Sequence, residues 1–73
     1  MPVEEIHAEM VSSVWKVLVG PGTEVQAGDT LVILESMKME IPVLTEHAGT
    51  ITAVKVAPGD VVQEGDVLLT IDL

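Results

Sequence analysis

The stretch Val17-Leu18-Val19-Gly20-Pro21-Gly22-Thr23-Glu24-Val25-Gln26-Ala27-Gly28-Asp29-Thr30-Leu31 returns 37 residues later as Val54-Lys55-Val56-Ala57-Pro58-Gly59-Asp60-Val61-Val62-Gln63-Glu64-Gly65-Asp66-Val67-Leu68. Nine pairs are identical without a gap: Val17/Val54, Val19/Val56, Pro21/Pro58, Gly22/Gly59, Val25/Val62, Gln26/Gln63, Gly28/Gly65, Asp29/Asp66 and Leu31/Leu68. The same shift sets Glu9 on Glu46, Val14 on Ile51 and Leu34 on Ile71, so the relation covers nearly the whole chain. Such a period marks two copies of one unit that bury their apolar faces together.

Each copy carries the same punctuation. Residues 14–19 form a β-rich run, 20–23 turn, 24–26 are briefly extended, 27–29 turn again and 30–35 make a second strand. In the second copy the strands fall at 50–56, 61–63 and 67–71, with turns at 57–60 and 64–66. Proline presets the first turn position and glycine accepts positive φ, which is why both copies reuse that pair. Residues 6–11 and 39–44 supply one more strand per copy. The expectation is all-β: about eight short strands in a flattened barrel or sandwich of two four-stranded antiparallel sheets with quasi-two-fold symmetry. Residues 35–40 contain good helix formers, but strand-like runs flank them and Pro42 would end a helix at once, so a hairpin is the better reading.

The chain has 73 residues, enough for one domain over 1–73 and too few for an enzyme with a cleft of ordinary size. Hydrophobic residues make up 48%, yet Trp15 is the single aromatic, so the core is built from Val, Ile, Leu and Met. Without cysteine there is no disulfide or thiolate metal site, and the regularity of the core must do the stabilising. No apolar run approaches the roughly 20 residues that span a bilayer, and the first residues are not a basic signal segment. A cytoplasmic, monomeric protein with no membrane partner is expected. The formal net charge of -9 speaks against nucleic acid as a partner. It serves solubility, and is compatible with steering a basic partner.

The repeat also singles out one position. Position 38 maps onto position 1 and, beyond Leu73, onto position 75, so a two-fold axis makes the hairpin at Lys38 the mate of the place where the chain starts and stops. Lys38 is thereby expected at one end of the domain and the termini at the other. Around it stands Glu35-Ser36-Met37-Lys38-Met39-Glu40-Ile41. This resembles the attachment site of biotinyl domains, in which the central lysine of Met-Lys-Met at a hairpin tip receives biotin.

The resemblance extends over the whole chain and implies a barrel-sandwich hybrid; the gap-free repeat leaves no room for the thumb that some biotinyl domains insert. It also implies covalent biotin on Lys38, with Met37 and Met39 as the flanking residues a biotin protein ligase reads and Glu35 as the acidic position before them. Lipoyl domains share the fold but usually carry Asp-Lys-Ala, so methionine on both sides favours biotin over lipoate. The alternatives are a lipoyl carrier of a dehydrogenase or glycine-cleavage system, and an unmodified structural barrel-sandwich module. Dual modification is conceivable for stand-alone relatives.

The chemistry of the residues agrees with the resemblance. Methionine is unbranched and polarizable, so it offers an adaptable apolar surface beside the lysine. An amine must be neutral to attack biotinyl-adenylate, and with an unperturbed pKa of about 10.4 that form costs roughly 4 to 5 kcal/mol near pH 7. No evident base meets that cost, and Glu35 and Glu40, if close, oppose it. The chain is therefore expected to be a substrate of the ligase and not an enzyme, carrying carboxyl groups between biotin carboxylase and carboxyltransferase components. Where carboxylase-borne domains commonly have Pro-Met-Pro-Gly, this chain has Met10-Val11-Ser12-Ser13, and no Pro/Ala-rich linker precedes it. In this it resembles small stand-alone attachment proteins, with an excised domain as the alternative.

Other residues have plain structural readings. His7 and His47 lie among Glu5, Glu9 and Glu46, but the repeat sets them on Leu44 and Met10, so they are read as surface histidines and not as metal ligands. Gly28-Asp29 and Gly65-Asp66 lack the acidic alternation of a calcium loop and are turn residues. Trp15 maps to Thr52 and is read as packing on a surface strand, with docking as the alternative. Lys16 and Lys55 lack methionine neighbours.

Overall fold

Short runs of Val, Ile, Leu and Thr give eight strands and no helix over residues 2–73, which the computed structural model describes. In chain order they are β1 (Val3–His7), β2 (Ser12–Val17), β3 (Glu24–Val25), β4 (Thr30–Ser36), β5 (Met39–Leu44), β6 (Gly49–Val54), β7 (Val61–Val62) and β8 (Val67–Asp72). They form two four-stranded antiparallel sheets, ordered β1-β8-β6-β3 and β5-β4-β2-β7. A shift of 37 residues carries β1 to β5, β2 to β6, β3 to β7 and β4 to β8, and so converts one sheet order into the other. The sheets face each other without joining into a closed barrel.

The core obeys the same two-fold. Val14 and Ile51, Val25 and Val62, Leu31 and Leu68, Val32 and Leu69, and Leu34 and Ile71 are all buried in equivalent pairs. Ala8 is buried opposite the buried Thr45, whose hydroxyl donates to the His47 carbonyl at 2.7 Å and so loses nothing by leaving water. Each fully buried leucine or isoleucine contributes about 1.5–3 kcal/mol, which is how a chain without disulfides holds together.

Backbone hydrogen bonds interleave the halves. The Gly28 amide donates to the Thr45 carbonyl at 2.8 Å, and its equivalent, Gly65, donates to Ala8 at 2.9 Å. Likewise the Ile51 amide donates to Thr23 and the Val14 amide to Asp60, both at 2.8 Å. These bonds tie turns of one half to the backbone of the other. At these turns the Asp29 and Asp66 carboxylates each accept from the backbone three residues earlier, at Gln26 and Gln63, both at 2.8 Å. Gly28 and Gly65 sit at φ of 92° and 90°, a conformation that side chains disfavour.

Two details differ from the sequence reading. The first strand lies at Val3–His7 and not at residues 6–11, because Ala8 leaves the strand to enter the core and bonds to Asp66, while residues 9–11 bend. The strands expected at 14–19 and 50–56 run from Ser12 to Val17 and from Gly49 to Val54. Trp15 does not alternate cleanly with its neighbours either. Val14 pairs with Leu34 and Lys16 with Ile33, so Trp15 is the extra residue of a bulge, and both Trp15 and Lys16 are exposed. Thr52 occupies the equivalent bulge between Ile51 and Ala53.

Candidate functional site

The ladder between β4 and β5 runs from Thr30↔Leu44 to Ser36↔Met39, and two residues, Met37 and Lys38, close it. Two-residue hairpin loops match the strand twist when both residues have positive φ, which usually selects Asn-Gly or Gly-Gly. Here φ is 53° at Met37 and 64° at Lys38, although neither residue is of that kind. A non-glycine residue held there is strained by about 1–2 kcal/mol. The cross-strand ladder below, with Leu34 buried opposite the half-buried Ile41, holds the turn in place.

The result is a paired hairpin arm with an exposed end. Met37 is 91% exposed and Met39 66%, although the composition leads methionine to be counted among the core residues, and Lys38 between them is exposed. Among the described residues Lys38 makes no ion pair and no side-chain hydrogen bond. Glu35 is exposed one residue pair below the turn and directly faces Glu40. The four residues singled out in the sequence, Glu35, Met37, Lys38 and Met39, thus come together on one tip.

The tip stands far from the chain ends. In the two-fold scheme the Ser36↔Met39 pair corresponds to Leu73 and Pro2, and the Leu73 amide does donate to the Pro2 carbonyl at 2.9 Å. That pair adjoins Val3↔Asp72, and the Asp72 carbonyl lies against Gly49, which follows β5 at the base of the Lys38 hairpin. Position 1, which the repeat sets on Lys38, lies outside the described residues.

The other cations are placed differently. Lys16 lays its ammonium over the Trp15 ring, 4.5 Å from the centroid, and Lys55 follows β6 on the surface. His47 Nδ1 meets Glu4 at 3.1 Å and His7 Nε2 meets Glu5 at 3.6 Å, so the two histidines take separate carboxylates. Two open concavities, of about 420 and 480 Å³, lie along the sheets; neither includes Lys38 in its lining. Among the described residues, none beside Lys38 is arranged to remove its proton or to hold an acyl donor. What the tip can do is present an amine to another molecule.

Sequence reasoning found the tip by symmetry but missed its backbone. The positive φ at Met37 and Lys38 left no glycine or asparagine to mark it. The spacing of two residues between the strand patterns was the available signal.

Comparison with known proteins places this geometry. The profile of the biotin/lipoyl family, described as "Biotin-requiring enzyme", matches residues 3–71. A protein of Mycobacterium leprae, named "Biotinylated protein TB7.3 homolog", is 53% identical over 51 residues, which cover 70% of this chain and 72% of the relative. Among solved structures, the urea carboxylase of Kluyveromyces lactis superposes with a TM-score of 0.90 at 30% identity, over 99% of this chain and 6% of that one. The lipoyl domain of the 2-oxoglutarate dehydrogenase complex of Azotobacter vinelandii superposes with a TM-score of 0.78 at 24% identity, over 93% and 96% of the two chains. That last likeness speaks for the fold alone.

Proposed function

The chain belongs to the biotin/lipoyl attachment family, and from that membership we propose that it is a biotin carrier domain acylated on Lys38. The observation that carries the reading is the Met37-Lys38-Met39 tip: an exposed amine on a strained, core-anchored turn, flanked by apolar side chains left in water. A biotin protein ligase is the acylating partner. Lys38 Nζ attacks the activated carboxyl carbon of ligase-bound biotinyl-adenylate, an amide bond forms, and AMP and the amine proton leave. Among the described residues no group is positioned to take that proton; in this reading the ligase supplies the base and this domain is the substrate.

The exposed tip accommodates biotin without any rearrangement of the core. Once attached, biotin supplies the chemistry of accepting and releasing a carboxyl group; the domain supplies reach and orientation. Glu35, Met37 and Met39 form the surface that partner sites meet first. The likeness to a part of a urea carboxylase supports carboxylase components as the partners served, and the name of the mycobacterial relative supports biotin as the attached group. A cytoplasmic monomer suits this role.

The test is labelling. Incubated with a biotin protein ligase, ATP and biotin, the wild-type chain gains the mass of one biotin and binds an avidin probe, and Lys38→Arg does neither. Lipoate in place of biotin on the chain isolated from its own cells would move the assignment to a lipoyl carrier, and persistent avidin labelling of Lys38→Arg would refute it.

A further inference from the structure

The two-fold makes the outer faces of the two sheets equivalent, yet their chemistry differs. On the outside of the β5-β4-β2-β7 sheet stand Pro42, Ile33, Trp15 and Val61, one from each strand. Register sets Pro42, Ile33 and Lys16 in one row with Trp15 beside Lys16, while Val61 stands in the next row toward the tip, paired with Ser13, so the apolar residues form a band interrupted by Lys16. The equivalent positions on the other sheet hold Glu5, Thr70, Thr52 and Glu24, and there the Thr52 and Thr70 hydroxyls bond each other at 2.6 Å. The polar set satisfies the same backbone at the same depth, so the fold does not require the apolar one. Trp15 stays 42% exposed and Val61 66%, which leaves apolar surface in water with little gain to the core.

This apolar band lies on the sheet whose hairpin bears Lys38. The pattern reverses at Lys16, which stands in place of Ala53, and at Glu40, which stands in place of Val3; Glu35 and Glu40, in the row that also holds Val61, lie between the Ile33–Pro42 pair and the turn that bears the amine. We infer that this face is the docking surface for the ligase that acylates Lys38, an inference that rests on the biotin-carrier reading. The ligase meets the chain before any biotin is attached, so the protein surface alone must distinguish Lys38 from Lys16 and Lys55; a carboxylase site has the attached group itself to grip. A second copy of the chain is opposed by a net charge of -9. The complement is a ligase surface with an apolar socket for the Trp15 indole and basic groups facing Glu35 and Glu40.

Biotin transfer kinetics, with the chain as the varied acceptor, test the inference. The variant Trp15→Thr/Ile33→Thr/Val61→Glu installs the residues of the opposite face and is checked for fold by circular dichroism, with Trp15→Thr alone run in parallel. The expected result is a KM for the chain raised about fivefold or more with kcat retained, while Glu24→Val on the opposite face stays within about twofold of wild type. Trp15 is the single tryptophan, so fluorotryptophan gives one fluorine resonance, expected to shift on adding ligase to either wild type or Lys38→Arg. A KM within about twofold of wild type for both face variants, or a resonance that ligase leaves unmoved, overturns the inference. Failure of the wild-type chain to accept biotin at all overturns the Lys38 assignment, and the docking surface with it.

Discussion

Glu35 and Glu40 directly oppose one another across the β4–β5 ladder, one residue pair from the turn that bears Lys38. Like charges at opposed positions of an antiparallel pair destabilise it, so the tip carries an electrostatic burden that its own fold does not need. Glu40→Gln is expected to raise stability by about 0.5 kcal/mol, read as a higher urea midpoint at unchanged slope. The gain should shrink at high salt, which screens exposed charges. A lower midpoint would contradict this account of the pair.

Met37 holds φ of 53° without being glycine. Met37→Gly is expected to stabilise the domain by about 1 kcal/mol, by removing the strain of the left-handed conformation. It should also slow biotin transfer by the ligase, because the apolar flank is gone. Stability and acceptor activity moving in opposite directions is the signature, since a residue kept only for the fold would move both the same way.

Gly49 is needed for space. A Cβ there would come within 2.6 Å of the Asp72 carbonyl oxygen and 2.7 Å of Ile71 Cγ2. Backbone and a buried isoleucine cannot both give way, so Gly49→Ala is expected to cost about 1–3 kcal/mol, or a melting temperature lower by roughly 4–8 °C per kcal/mol for a domain of this size. Biotin transfer at a temperature where the variant is folded should be unchanged, because Gly49 lies away from the tip.

Asp29 and Asp66 make the same bond in the two halves, to the amides of Gln26 and Gln63. Each Asp→Ala replacement is expected to cost about 1 kcal/mol. The two sit in separate turns and share no partner, so the double variant should lose the sum to within about 0.5 kcal/mol. A large difference between the two single variants would contradict the equivalence of the halves.

Much of this architecture was legible before any coordinates. The pairing of Val25 with Val62 and of Leu31 with Leu68 in the repeat gave the two-fold, and the two-fold gave the core and the position of Lys38. Bulges were not legible: Leu31, between Thr30 and Val32, Leu68, opposite the Ile6/His7 step, and Trp15 and Thr52 in β2 and β6 are extra residues that local pattern reading treats as ordinary alternation. The first strand was displaced because residues 6–11 are as strand-like in composition as residues 3–7, and only the burial of Ala8 decides between them. The clustering of Glu35, Met37, Lys38 and Met39 followed from the hairpin. Its strained turn did not, because a tertiary scaffold can impose positive φ on residues that would not choose it.

The most direct test of the central claim is to locate the modification. After reaction with a biotin protein ligase, ATP and biotin, the chain is digested and its peptides are weighed, with Lys16 and Lys55 as internal controls on the same molecule. The account predicts a single biotin, on the peptide containing Lys38, and unmodified Lys16 and Lys55. Biotin distributed over all three lysines, or placed on either of the other two, would contradict it.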